Sequence, residues 1–186
     1  MSGKIIVICA PSGTGKSTLI NRLKADYPHL EWSVSCTTRP IRVGEVNGKD
    51  YHFLSKEDFE KQIQHEDFIE WAKVHSNYYG TSKVFVSQGL KEGRQMLFDL
   101  DVQGADSIKK IYGKEASVIF IEPPSIEELE KRLRLRGTDT ERVILERIEN
   151  ARRELARKND YDYLILNDDV EKAYKALHDA VGRILK

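Results

Sequence analysis

The chain has 186 residues, of which 30 are basic and 30 acidic, so its formal net charge at pH 7 is zero. This balance excludes an overall field that would draw the protein to nucleic acid or to an anionic membrane, and we expect neither as a partner. The length suits one domain, and 40% hydrophobic residues are enough for a core beneath a well-solvated surface.

The first apolar run spans residues 5–10, and residues 5–9 of it are predicted to form a buried strand of a parallel sheet. It is far too short for a signal peptide core or a membrane span. Cys9 lies in this run, and neither it nor Cys36 belongs to a metal-ligand spacing. These features predict a reduced, cytoplasmic protein.

The strongest motif follows this strand and opens the first predicted helix, Lys16–Asp26. Glycines let such a loop curl so that its N–H groups point at phosphate oxygens, and the helix N-terminus adds partial positive charge. We expect it to bind ATP, with Lys16 reaching the β- and γ-phosphates and Ser17 holding Mg²⁺. The usual pattern opens with glycine, and Ala10 is a mild departure if its backbone is extended. The motif comprises Ala10, Pro11, Ser12, Gly13, Thr14, Gly15, Lys16, Ser17 and Thr18.

Residues 32–81 have a polar, hairpin-like pattern, with the turn signal Asn47-Gly48 between candidate strands. Inside this stretch, Ser55 followed by Asp58 predicts the start of a short helix, because a serine hydroxyl can cap free backbone N–H groups. We expect a small mixed lobe here, separate from the main sheet.

Further buried strands are predicted at 96–98, 118–121 and 163–166, and a final amphipathic helix over 170–185. Strands that alternate with helices imply an α/β fold, in which helices cover both faces of a parallel sheet.

A carboxylate, Asp99, ends the strand at 96–98, where ligands bind in open α/β sheets. Asp101 would project similarly if the strand continues. Asp99 is therefore a candidate magnesium partner. Either carboxylate could instead cap the helix that is predicted to start near Gln103.

Residues 125–157 are predicted to form two helices separated by Gly137, and they contain eight of the thirteen arginines together with eight acidic residues. The simplest interpretation of this composition is a salt-bridged, solvated helix pair.

Several blocks of sequence resemble the signature of the guanylate kinases. They follow the family's order over nearly the whole chain, and several are specific to that family rather than to phosphate-loop proteins at large. The blocks are SCTTRPIRVGE at 35–45, GKDY at 48–51, FIEW at 68–71, NYYG at 77–80, DLDVQG at 99–104, RL at 132–133 with RG at 136–137, and NDD at 167–169. The resemblance implies transfer of a phosphoryl group from ATP to GMP with Mg²⁺, by direct in-line attack.

The resemblance also implies three moving parts: a core (1–31, 84–123 and 158–186), a GMP-binding lobe (32–83) and a lid (124–157). The GMP site that it implies consists of a phosphate clamp (Arg39, Arg42, Tyr51, Tyr79), a guanine reader (Glu70, helped by Ser35 and Thr81), and Asp99 and Asp101. Lid arginines would reach the ATP phosphates and, with Lys16 and Asp99, form the catalytic set; they are Arg132, Arg136 and Arg147. Asn167 matches a position near the ATP base.

The chemistry of guanine agrees with a carboxylate reader, because N1–H and the 2-amino group are adjacent donors, whereas adenine has neither. Without the resemblance, Glu70 would be interpreted as an exposed strand carboxylate, and Arg39 and Arg42 as ordinary surface charges.

Two alternatives stay open at this level. One is a peptide-binding relative that has lost catalysis, although such domains typically have a damaged phosphate loop. The other is a kinase for a different nucleotide or a small hydroxyl compound. The sequence predicts no oligomeric state.

Overall fold

The structure is a computed structural model that describes residues 3–74, 76–135, 137 and 139–186. Its strands are β1 (Lys4–Cys9), β2 (Glu31–Trp32), β3 (Cys36–Thr37), β4 (His52–Phe53), β5 (Phe68–Val74), β6 (Asn77–Ser82), β7 (Gln95–Asp99), β8 (Ala116–Glu122) and β9 (Tyr163–Leu166). Its α-helices are α1 (Lys16–Asp26), α2 (Lys56–Gln64), α3 (Lys83–Lys91), α4 (Val102–Tyr112), α5 (Ile126–Leu135), α6 (Glu141–Ala156) and α7 (Val170–Leu185). Short 3₁₀ turns lie at Gly113–Glu115 and Lys158–Asp160.

The main sheet has five parallel strands in the order β2-β7-β1-β8-β9. One apolar cluster joins it to α1 and α7, and a second joins its other face to α3 and α4. The predicted α/β fold with helices on both faces is therefore confirmed. The predicted bounds of α1 and α7 also agree with the structure.

The smaller sheet has the order β4-β3-β6-β5 and corrects one expectation. Asn47-Gly48 does not connect a hairpin, because the strands on either side of it, β3 and β4, pair in parallel. Instead the Asn47 side chain accepts a hydrogen bond from the Phe53 N–H (2.9 Å), which folds the loop back on itself. The antiparallel hairpin of this lobe is formed by β5 and β6.

Helix α2 begins as predicted, since the Ser55 hydroxyl oxygen accepts from the Asp58 N–H at 3.0 Å. Helices α5 and α6 flank Gly137 and have their own apolar cluster, which is distinct from the two clusters of the main sheet. Among the described helices, none has the length and apolar character needed to cross a membrane.

Candidate functional site

The phosphate-loop motif lies between β1 and α1, at the carboxyl edge of the main sheet. Gly13 and Gly15 have φ values of 92° and 93°, a conformation that residues with a side chain rarely adopt. The Thr14 hydroxyl donates to the Pro11 carbonyl at 2.6 Å and closes the loop internally. Ala10 does not adopt the left-handed conformation, so its methyl group is tolerated where the usual pattern has glycine.

Lys16 contacts the end of the neighbouring strand β7. Its Nζ lies 2.5 Å from Asp99 Oδ1 and donates to the Leu100 carbonyl at 2.5 Å. The strand register causes this proximity, since Ile8 of β1 pairs with Asp99 of β7. The structure therefore brings Asp99 beside the phosphate loop, as the sequence predicts.

Asp101 does not continue the strand, because β7 ends at Asp99. It is the N-cap of α4, where its Oδ1 accepts from the Gly104 N–H at 2.8 Å. The capping alternative is therefore correct for Asp101. The residue also lines both cavities described below, so a cap and a contact to ligand are compatible.

A cavity of about 590 Å³ lies along the phosphate loop and is lined also by Asp101, Arg132 and Glu154. Sequence reasoning missed Glu154, which is one of many acidic residues in its segment and has no distinguishing spacing. Burial raises the pKa of its carboxyl above the ordinary value.

Two of the three predicted lid arginines contact the loop. Arg147 donates to the Ser12 hydroxyl at 2.6 Å, and Arg132 donates to the carbonyls of Thr14 (3.4 Å) and Asn167 (3.3 Å). Arg136 lies outside the described residues. The helix pair is thus more than a solvated, salt-bridged surface, because two of its arginines reach across to the phosphate-loop motif.

Asn167 lies behind the phosphate loop. Its side chain is buried and donates to the Thr14 carbonyl at 2.7 Å. A β-carbon at Gly15 would lie only 2.7 Å from the Asn167 amide nitrogen, so this contact requires glycine there. The hydrogen bond from Asn167 to Thr14 therefore helps to hold the phosphate loop in its shape.

A second cavity, of about 380 Å³, separates the small lobe from α4, and Glu70 and Asp101 both line it. Glu70 Oε1 accepts from the Thr81 hydroxyl at 2.6 Å, and burial raises the pKa of Glu70. Strict alternation would expose this strand carboxylate. A β-bulge between Phe68 and Glu70 shifts the register, so Glu70 pairs with Thr81 and is only partly exposed.

Three of the four residues that are predicted to clamp the GMP phosphate lie close together. The Arg39 guanidinium lies 5.4 Å from the Tyr51 ring, whose centroid is 6.1 Å from that of Tyr79. Arg39 also forms a two-pronged ion pair with Glu45 (2.7 and 3.0 Å), a partner that sequence reasoning missed. That bond lowers the pKa of Glu45.

Two other predicted GMP-site residues contribute backbone contacts. The exposed Arg42 donates its backbone N–H to Glu45 at 2.7 Å. Ser35 is half-buried, and its carbonyl accepts from the His52 N–H at 2.9 Å. Both residues lie in the same small lobe as Glu70 and Arg39.

Ser17 and Asp99 suit a magnesium ion, because both offer hard oxygen donors and both are exposed beside the phosphate loop. Within the described residues, no group of three or more His, Cys, Asp or Glu side chains could hold a metal ion. A Mg²⁺ ion that binds together with nucleotide phosphates usually has only one or two protein ligands.

Comparison with known proteins gives a consistent family. The guanylate kinase family model matches residues 2–183. The chain is 49% identical over 176 residues to a guanylate kinase of Sulfurimonas denitrificans, covering 95% of this chain and 85% of the relative. It is 49% identical over 179 residues to one of Nitratidesulfovibrio vulgaris, covering 96% and 86%. The crystal structure of guanylate kinase from Anaplasma phagocytophilum matches with a TM-score of 0.69 and 30% identity, over 98% of this chain and 86% of that one.

Proposed function

The chain belongs to the guanylate kinase family, and from this membership and the geometry of its site we propose that it transfers the terminal phosphoryl group of ATP to GMP. The products are ADP and GDP. The observation that carries the choice of acceptor is the half-buried carboxylate of Glu70, which lines a cavity on the small lobe and is held by Thr81.

The phosphate loop binds the β- and γ-phosphates of ATP through its N–H groups and Lys16. An oxygen of the GMP phosphate attacks the γ-phosphorus in line, and the bond to the ADP oxygen breaks, so no protein nucleophile is required. Arg132, Arg136 and Arg147 neutralise the charge that spreads over the phosphoryl oxygens. Mg²⁺, held by Ser17 and Asp99, supplies further neutralisation when bound.

The phosphate of GMP binds to Arg39, Arg42, Tyr51 and Tyr79, because arginine forks and phenol donors suit a dianion. The contacts of Arg39 support this assignment and add a condition. Both terminal nitrogens of Arg39 bond the Glu45 carboxylate. The GMP phosphate must therefore either share the Arg39 guanidinium with Glu45 or displace Glu45 from it.

The guanine base binds in the cavity that Glu70 lines. The N1–H and the 2-amino group of guanine donate to the two oxygens of the Glu70 carboxylate. Ser35, Thr81 and Asp101 lie beside the base, and Asp99 lies towards the ribose and the phosphates. Adenine would leave the desolvated carboxylate without donors, and such an unpaired buried acceptor is costly.

The molecule works in three parts: the core, the GMP-binding lobe (32–83) and the lid (124–157). The separate apolar cluster of α5 and α6 supports a lid that moves as a body. We place the reaction in a reducing, cytoplasmic setting, which the two buried free cysteines support. The surroundings of Asn167 favour a role behind the phosphate loop over direct contact with the ATP base.

Measuring ADP formation with GMP, AMP, UMP and dTMP in turn tests the proposal. Turnover with GMP alone is expected. Preference for another acceptor would identify a different kinase, and no turnover with any of them would favour the peptide-binding alternative.

Glu70→Gln identifies the guanine reader. The amide nitrogen would face a donor on guanine, so kcat/KM for GMP should fall by about 100- to 1000-fold. The ratio of GMP to AMP activity should shrink, because an amide can donate to adenine N1. If both activities fall together and the ratio is unchanged, guanine is read elsewhere.

A further inference from the structure

Among the described arginines of α5 and α6, four form an ion pair with a glutamate four residues away on their own helix, whereas Arg147 pairs with an acid outside its helix. Arg134, Arg142 and Arg153 each pair with a glutamate four residues away on their own helix, and those glutamate side chains are 37%, 60% and 57% exposed. The residues four positions before and after Arg147 are Val143 and Ala151, so its own helix offers no acidic partner at that spacing.

The partner of Arg147 comes from the segment that precedes α6. Its Nη2 lies 3.4 Å from Asp139 Oδ1, while its Nη1 donates to the Ser12 hydroxyl at 2.6 Å. The guanidinium therefore bridges the phosphate loop and one carboxylate. The Asp139 side chain is only 13% exposed, and within the described part of the chain its Oδ2 is buried without a hydrogen-bond partner.

Burial of Asp139 strengthens its hold on the Arg147 guanidinium. Exposed pairs such as Arg142–Glu146 are screened by water and hold their side chains weakly. A carboxylate removed from water acts on a neighbouring guanidinium with less screening. Because arginine has many rotamers, an anchor that selects one of them lowers the entropy lost when the side chain meets its target.

We infer that Asp139 is a positioning residue for Arg147, holding its guanidinium over Ser12 so that it meets the ATP phosphates already oriented. This inference rests on the proposed function, in which Arg147 neutralises charge on the transferred group. Asp139 itself touches neither substrate nor reacting atoms.

Asp139→Asn keeps the size of the side chain and one acceptor but removes the charge. We expect kcat to fall by about 10- to 100-fold, which is the scale of a small misplacement of a catalytic group. KM for GMP should stay within about twofold, since the GMP site lies on the other lobe. The matched control is Glu146→Gln, which breaks an exposed pair on the same helix and should change kcat by less than about twofold. Asp139→Glu, which keeps the charge, should recover much of the lost rate.

A double-mutant cycle with Arg147→Ala separates positioning from general support of the lid. If Asp139 acts through Arg147, Asp139→Asn should lower kcat of the Arg147→Ala protein by less than about twofold. Wild-type kcat in Asp139→Asn, or a full loss repeated in the Arg147→Ala background, would overturn the inference.

The same cycle measured as Kd for ATP needs no turnover, so it tests Asp139 even if GMP is not the acceptor. Weaker binding of ATP in Asp139→Asn that disappears in the Arg147→Ala background supports positioning, and unchanged or additive effects overturn it. Absence of GMP turnover in the wild-type protein would instead count against the proposed function alone.

Discussion

Lys16 is a cation whose nearest partners are two oxygens at the end of β7, those of Asp99 and Leu100. In the reaction that we propose, the same ammonium group would follow the charge that develops on the transferred phosphoryl group. We therefore predict that Lys16→Met lowers kcat by about 100-fold or more. The Asp99 side chain is 44% exposed, so water replaces the lost partner and the free energy of unfolding should change by less than about 1 kcal/mol.

Steady-state kinetics together with urea unfolding check this prediction. A purified Lys16→Met protein with near-normal turnover would remove the phosphate-loop argument. A large loss of stability would mean that the ion pair supports the fold.

Glu70, the proposed guanine reader, also affects how stability depends on pH. Burial raises the pKa of its carboxyl in the folded protein above the ordinary value of 4.5. A raised pKa means that the folded state binds the proton more tightly than the unfolded state. The stability that this proton confers is complete below pH 4.5 and is lost as pH rises through the higher, folded pKa.

Glu70→Gln removes this dependence, because an amide does not ionise. The variant should gain stability relative to the wild-type protein as pH rises from about 4 towards 7, and the two should converge in acid. Urea unfolding at several pH values measures the difference. A difference that is flat across this range would show that Glu70 is well solvated.

At the level of single elements, Asp101 has two separable roles. Its side chain caps α4, and it also lines the cavity that Glu70 faces. We predict that Asp101→Ala lowers the free energy of unfolding by about 1 kcal/mol, because the Gly104 N–H loses its acceptor. Asp101→Asn retains a capping oxygen, so its stability should remain close to that of the wild-type protein.

The same two variants also test whether Asp101 contributes to the binding of GMP. If the charge of Asp101 contributes to binding the base, KM for GMP should rise in Asp101→Asn although the helix is still capped. Equal effects of the two substitutions on stability would contradict the capping role. An unchanged KM in both would limit Asp101 to that role.

For the whole molecule, the packing suggests which parts move together. Helices α5 and α6 share an apolar cluster of their own, yet Leu133 of α5 packs directly against Gly13 of the phosphate loop. The small lobe likewise has its own cluster around Phe59 and Phe68. Such bodies can rotate on the core without breaking their own packing.

We predict that GMP increases hydrogen-exchange protection within residues 39–79, and that a non-hydrolysable ATP analogue does so within 132–147. Closure of both parts would exclude water, so phosphoryl transfer would outcompete hydrolysis of ATP. Exchange measured with each ligand and with both is the test. Unchanged exchange at saturation with both ligands would contradict domain closure.

The parallel sheet, the bounds of α1 and α7, the glycine-rich loop between β1 and α1, and the placement of Asp99 at the same edge of the sheet all follow from the sequence alone. Each of these depends on short-range rules. Helical and strand periodicity repeat within a few residues, glycines mark the left-handed positions of the loop, and a strand that ends in a carboxylate places it at the ligand edge. The resemblance to guanylate kinases, which rests on sequence motifs alone, also identifies Glu70 and the lid arginines as candidates.

The contacts between residues far apart in the chain depend on tertiary packing. A bulge in β5, invisible to alternation, turns Glu70 towards Thr81. Parallel pairing of β3 and β4 overrode the Asn47-Gly48 turn signal. Asn167 reaches Thr14 from 153 positions away, and Arg147 reaches Ser12 from 135. These contacts arise because packed elements bring side chains together that are far apart in the chain. No local sequence pattern encodes that geometry, so the contacts cannot be predicted from neighbouring residues.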